Sequence, residues 1–157
     1  GVIAATYIDS DNNRYTNLYD SLLFSSGNGN VSQELYGTGG NLITMFNYGN
    51  SFIIGNNTNG SINFIDIRQM KSYNSFKVHD DEVKSIVLSN NQNYMATSGA
   101  EGSVKIWDIS RKSDITLVET INPFLKEKNY KRINLIVKNE CLYAGGSSSI
   151  KLLRNKF

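Results

Sequence analysis

A chain of 157 residues with 39% hydrophobic and 19% charged residues has an ordinary globular composition, long enough to bury a core and short enough to be one domain or part of one. A formal charge of +2, with no basic patch interleaved with aromatics, excludes the usual footprint of a nucleic-acid binder. One cysteine, Cys141, excludes an internal disulfide framework, and no apolar run approaches the roughly 20 residues of a membrane span, so a cytoplasmic chain without membrane insertion is expected.

The first residues lack both a basic segment and a long apolar one, so they are not read as a signal peptide. There is one proline, and Gly, Asn and Ser crowd the gaps between short β-branched and aromatic runs, which predicts many short strands and an all-β fold. Over residues 1–40 the pattern is faint: a strand over 2–8, a polar loop over 10–17, a strand over 22–26, the turn Gly27-Asn28-Gly29-Asn30, and a strand over 31–36. Gly37-Thr38-Gly39-Gly40 then breaks the chain. A clearer unit follows over 41–78, with strands over 42–48, 52–55, 62–67 and 73–78. The next, 79–121, has strands over 83–89, 94–98 and 104–109, with an outer strand over 115–121. The last unit, 122–157, has strands over 133–137, 142–144 and 150–153, preceded by a long insertion, NPFLKEKNYKR, over 122–132.

Aligned on its third strand, SINFIDI (61–67) lies over SVKIWDI (103–109) at a separation of 42 residues, and the third strand of the last unit follows after 46. A fixed period of this length is the signature of a repeat architecture. The stretch 76–109 carries further marks. His79 opens the unit, a turn at Glu101-Gly102 precedes the third strand, and that strand holds Trp107-Asp108. In these features it resembles a WD repeat. The resemblance implies a β-propeller with about four blades in this chain: a degenerate blade over 1–40, a blade over 41–78, a fully marked WD blade over 79–121, and a last blade over 122–157 that lacks its outer strand. Closed WD rings usually have about seven blades, so the chain reads as the C-terminal portion of a larger, seven-bladed ring. The remaining blades are expected from the parent chain or from another chain.

In the WD family, the opening His, a Ser or Thr on the second strand, an acidic residue before the third strand and the Trp on that strand form a hydrogen-bonded network. Carried over by position, the structural network is His79, Thr97, Glu101 and Trp107, with Asp108 completing the Trp-Asp pair. Unpaired burial of an imidazole or an indole N–H would cost about 1–3 kcal/mol, which is why such residues occur as a set. Glu101 departs from the family's Asp by one methylene, which is expected to stretch or solvate the network at that point. The corresponding positions in the neighbouring units, Gly55, Asn59 and Ile65, and Tyr143, Ser147 and Leu153, do not carry the set.

No catalytic, cofactor or metal site is expected. A Ser-His-Asp device needs convergent partners and an oxyanion site, and there is no Gly-x-Ser-x-Gly elbow. One His and one Cys in separate units give no zinc spacing, and Cys141 reads as a small core residue. The loop faces remain for function. Lys77, Asp80, Asp81, Glu82, Ala100 and Glu101 are expected on the rim that also carries Lys126, Lys128, Lys131 and Arg132 of the insertion, so that neighbouring loops have complementary charge and can select a protein partner. NGSINFIDIRQ (59–69), the His79 segment and SGAEGSVKIW (98–107) are also similar to the final blades of the DmX/rabconnectin family, over residues 55–153. That resemblance implies a scaffold for assembly of the vacuolar proton-pumping ATPase, peripheral on endosomal or vacuolar membranes. The alternatives are a scaffold subunit of an unrelated complex, or a propeller that reads modified peptides or phosphoinositides.

Overall fold

A computed structural model of the chain describes residues 1–27, 30–40, 42–46, 50–55, 59–111, 114–125 and 132–157. Among the described residues there are 14 strands and one five-residue helix, arranged as four antiparallel sheets of three or four strands, the blades of a propeller.

The first sheet contains β1 (Val2–Ile8), β2 (Arg14–Asp20) and β3 (Gln33–Tyr36), in that order. It departs from the sequence reading at two places. Residues 14–20 form a strand, overlapping the polar loop expected over 10–17, because Leu18 is buried in the apolar cluster with the second sheet while Tyr15 and Tyr19, on the other face, are only half-buried. Its pairing with β1 is in register from Val2↔Asp20 to Ile8↔Arg14. Asp9 closes the hairpin by accepting from the backbone N–H groups of Asp11 (2.9 Å) and Asn13 (2.8 Å). Then α1 (Ser21–Ser25) occupies residues that were expected to form a strand over 22–26. Asp20 accepts from the Leu22 N–H at 2.8 Å and so caps the turn, giving the backbone a local partner in place of a ladder. The 27–30 turn lies partly outside the described residues.

The second sheet runs β4 (Leu42–Phe46), β5 (Ser51–Gly55), β6 (Ser61–Asp66) and β7 (Lys71–Lys77). The third runs β8 (Val83–Leu88), β9 (Tyr94–Gly99), β10 (Val104–Asp108) and β11 (Thr116–Ile121). The fourth has β12 (Asn134–Lys138), β13 (Cys141–Gly145) and β14 (Ile150–Asn155). In the second and third sheets the outer strand pairs through a bulge at the same repeat position, between Phe64 and Ile65 in one and between Ile106 and Trp107 in the other. The repeat is therefore structural down to one backbone irregularity.

Three apolar clusters glue neighbouring sheets. Leu18, Phe52, Ile54 and Ile65 join the first to the second. Phe46, Ile53, Phe64, Met95 and Trp107 join the second to the third, and Ala96, Val104, Ile106, Leu142 and Ala144 join the third to the fourth. β8 lies between β4 and β12, so the first strands of these three blades converge on a groove of ≈ 440 Å³ lined by Met45, Ile86, Leu88 and Ile136.

The loop that leads from the second sheet into the third is pinned by backbone. Gly60, at φ 68°, sits in the turn between β5 and β6, and its carbonyl accepts from the N–H groups of Val78 (2.9 Å) and His79 (3.0 Å). A Cβ at this position would lie 2.1 Å from the His79 carbonyl oxygen. Gly60→Ala therefore combines a left-handed conformation, worth about 1–3 kcal/mol for a non-glycine residue, with a backbone clash. Urea unfolding should show a loss at or above that range; a loss under about 0.5 kcal/mol would mean the staple opens without consequence.

Candidate functional site

His79 lies in the loop between β7 and β8, held from behind by the Gly60 carbonyl. Its side chain enters the third sheet, where it meets Thr97 on β9 and Glu101 in the turn before β10. Trp107 Nε1 donates to Thr97 Oγ1 at 2.9 Å, and Thr97 Oγ1 is 2.8 Å from His79 Nε2. His79 Nδ1 contacts Glu101 Oε1, which also accepts from Ser103 Oγ at 2.6 Å. One assignment of protons satisfies every member. The indole N–H donates to Thr97, the Thr97 O–H donates to His79 Nε2, the His79 Nδ1–H donates to Glu101, and Ser103 donates to Glu101. The imidazole is neutral in this arrangement. The structure thus brings together four of the residues read from the sequence and adds Ser103.

Asp108 stands apart from that chain. Side chains alternate across a strand, so Asp108 points away from Trp107, and its carboxylate accepts from the Ser110 N–H (2.9 Å) and hydroxyl (2.6 Å). Its place is a turn cap at the far end of β10, and it is not a member of the network.

Burial pushes the His79 imidazole below its ordinary 6.5, and the opposing pull of Glu101 offsets this only in part. At Glu101 burial acts upward, but hydrogen bonds from Ser103 and His79 outweigh it and hold the carboxyl below its ordinary 4.5. The longer acid fits because position 99 is glycine: a Cβ there would lie 2.0 Å from Glu101 Oε2. The Glu101 side chain keeps 30% of its surface exposed, so the chain ends at the solvent edge of the blade.

The charged loop residues lie around this end. Lys77 and Asp80 form an open ion pair at 3.8 Å, with side chains 64% and 92% exposed. Such a pair adds little stability. Asp81 accepts from the Glu82 N–H at 2.7 Å, Glu82 pairs with Lys84 at 2.6 Å, and the Ala100 N–H donates to the Glu82 carbonyl at 2.8 Å. The Lys105 ammonium donates to the Val78 carbonyl at 3.0 Å, another tie between sheets. Arg132 is exposed and directly precedes Ile133, whose carbonyl accepts from Ser98 Oγ at 2.7 Å, near the end of β9 that leads into the Glu101 turn. Lys126, Lys128 and Lys131 lie outside the described residues.

Sequence reasoning missed Ser103, Lys84, Lys105 and Gly99. Ser103 had a visible signal, since Ser61, Ser103 and Ser149 recur at or just ahead of the start of the third strand in the last three units. The other three depend on which side chains share a face, which the repeat pattern alone does not specify.

Residues 70–108, from the turn before β7 to the end of β10, match the family described as WD domain, G-beta repeat. That segment is similar to a WD repeat. Among curated proteins, the mouse DmX-like protein 1 is 28% identical over 133 residues, covering 84% of this chain and 4% of that protein. Zebrafish WD repeat-containing protein 91 is 27% identical over 99 residues, covering 59% of this chain and 14% of its own length. The chain therefore spans a small fraction of the curated relatives it matches. Among solved structures, the computationally designed Ika8 protein superposes with a TM-score of 0.70 at 15% identity, covering 99% of this chain and 43% of the designed one, a likeness of fold. Among the described residues, no group of three or more His, Cys, Asp or Glu is placed to hold a metal, and no helix is long and apolar enough to cross a membrane.

The matched WD repeat straddles two sheets, running from the outer strand of the second into three strands of the third. Its network is correspondingly a joint between sheets. Thr97→Val keeps the side-chain shape but leaves the indole N–H and the imidazole Nε2 without a partner, at about 1–3 kcal/mol each. Chemical denaturation should show a loss above about 2 kcal/mol, with Thr97→Ser much milder; equal losses would mean the hydroxyl is not the hub.

The pH dependence has a defined sign. Below its ordinary 6.5 the unfolded chain takes up a proton at His79 that the folded chain resists, so stability falls as pH drops through that region toward the lower folded value. Glu101, whose folded carboxyl is depressed, extends the decline below its ordinary 4.5. Because His79 is the sole histidine, thermal unfolding between about pH 7.5 and 5.5 reads it directly. Tm should fall with pH in the wild type and flatten in His79→Gln; a rise in Tm toward pH 5.5 would mean an imidazolium–carboxylate pair instead.

Proposed function

We propose that this chain is a non-catalytic scaffold, part of a larger WD propeller that holds other proteins of a multi-subunit complex. WD repeat proteins are generally protein-interaction platforms, and the observation that carries the reading here is the closed network at His79. The histidine that could have served as a base has both ring nitrogens occupied, one by Thr97 and one by Glu101, and is 1% exposed. Its polarity is used to join blades, leaving the loops and the sheet flanks for partners. The exposed Ile150 and Leu152 of β14, an edge strand, support further structure covering the fourth sheet, supplied by the parent chain or another chain.

The finer reading rests on the likeness to DmX-like protein 1. Resemblance to the DmX/rabconnectin family favours assembly of the vacuolar proton-pumping ATPase or vesicle trafficking, on the cytoplasmic side of endosomal or vacuolar membranes. Affinity capture of the full-length parent from cells, read by mass spectrometry, tests both levels. The comparison is between the native protein and a form with Lys126, Lys128, Lys131 and Arg132 changed to Ser. Pump subunits captured by the native protein and lost from the variant are expected. Capture of an unrelated complex that persists in the variant would remove the pump and place the contact on the opposite face.

A further inference from the structure

In the larger ring proposed above, further blades join at the two ends of this chain and cover the flanks of the first and fourth sheets. They do not cover the rim, where the outermost strand of each complete blade turns one backbone edge away from the ring axis. Two such strands are present. β7 closes the second sheet and β11 the third, each paired on one side only, with β6 and with β10. Both carry the same bulge, at Tyr73 and at Val118, so the bulge does not distinguish them.

The two edges are finished differently. β7, KSYNSFK, begins and ends on lysine, and its polar side chains turn back on their own strand: Asn74 Oδ1 accepts from the Ser75 N–H at 3.0 Å, and the Ser72 hydroxyl reaches the Asn74 carbonyl at 3.5 Å. Lysines and self-bonded backbone keep a rim strand from pairing further. β11, TLVETI, has neither device. It contains no lysine, proline or glycine, and among the described residues no side chain hydrogen-bonds to its backbone. Leu117 and Val118 stand 50% and 47% exposed on it.

Register assigns the faces of β11. Glu119 pairs with Ile106, of the cluster shared with the fourth sheet, and Leu117 pairs with Trp107, of the cluster shared with the second. The two side chains therefore lie on opposite faces. Glu119 is half exposed, and its ion pair with Arg154 is open at 3.9 Å, so the carboxylate has room for a second cation. A row of edge N–H and C=O groups is satisfied group for group only by another extended backbone, which repeats at the same spacing.

We propose that β11 is where an extended segment of a protein partner adds to the third sheet as a fifth strand, with a basic side chain facing Glu119 and an apolar one beside Leu117. This names the form of the partner for the scaffold role above and rests on that role.

The test is titration of the isotope-labelled 157-residue chain with the peptide acetyl-Thr-Lys-Val-Lys-Val-Thr-amide, followed by NMR of the β11 amides, with the Trp107 indole resonance reporting the fold. Saturable shifts and slowed hydrogen exchange at β11 are expected. A strand bonds to one neighbour through alternate residues, so of the two forms of the peptide N-methylated at alternate positions, one should bind and the other should not. Glu119→Lys should weaken binding about three- to tenfold. Val118→Lys, which guards this edge as Lys71 and Lys77 guard β7, should weaken it too. Equal binding of both methylated forms would reduce the contact to side chains and overturn strand addition. β11 amides unmoved by the peptide, with the indole resonance intact, would remove the site, and β11 shifts that grow with chain concentration in the absence of peptide would assign the edge to a second copy instead. None of these outcomes bears on the capture experiment, which probes the loop rim, so failure of the edge and failure of the scaffold role are separable.

Discussion

The Thr97 hydroxyl is the smallest group on which the arrangement of blades depends. It accepts from Trp107 and donates to His79, and both of those partners are buried, so neither could find water in its place. Hydrophobic contact between the second and third sheets supplies most of the driving force, but it is non-directional and would tolerate small slides of one sheet over the other. The hydrogen-bonded chain adds direction. It locks His79 relative to β9, and the Gly60 carbonyl locks the same loop relative to β5 and β6. A joint made of one-way donors has no tolerance for an extra proton, which is why the neutral imidazole, the depressed His79 and the ionised Glu101 form one consistent set.

The second sheet shows how much of this device survives without its centre. Asn59 stands where Glu101 does, and its Oδ1 accepts from the Ser61 hydroxyl at 2.6 Å, matching the Glu101–Ser103 contact of the same length. The turn is thus kept by a shorter amide. The hub is gone, because Gly55 replaces threonine and Ile65 replaces tryptophan. Packing takes over. A Cβ at Gly55 would come within 2.9 Å of Ile86 Cδ1, so the absent side chain is what lets the third sheet's first strand approach. Two neighbouring blades with the same bulge and the same turn are held by different physics: directed polar contacts in one, and close apolar approach in the other.

That difference explains what was legible in the sequence. The third blade was readable because its polar marks are unusual for buried positions and fall at fixed offsets. The second followed from periodicity against it. The first was only half readable. In RYTNLYD the alternation is carried by Thr16 and Leu18 against two tyrosines, and Thr and Asn in the middle made the segment look like solvent-exposed loop. Leu22 to Phe24 is too short an apolar run for periodicity to separate helix from strand, so the deciding feature was the Asp20 cap. At the site, the four long-range partners were placed through the repeat. Glu101 was expected to stretch or solvate the network, and the room for its longer side chain lies two residues upstream at Gly99, which repeat alignment treats as an ordinary strand end.

The first sheet is also where polar satisfaction is least complete. Thr16 Oγ1 and Asn17 Oδ1 are buried acceptors without a donor, on opposite faces of the same strand. In the third sheet, by contrast, Thr97, Ser98 and Ser103 are all buried and all bonded. Folded proteins leave few buried polar groups unpaired, since each costs about 1–3 kcal/mol. Two on adjacent residues of one strand are hard to reconcile with a blade selected only for its own stability. They fit a blade whose surroundings are completed by further structure. The closed network of the third blade thus fixes the frame, whereas the first blade leaves buried polar groups to be completed by what packs against it.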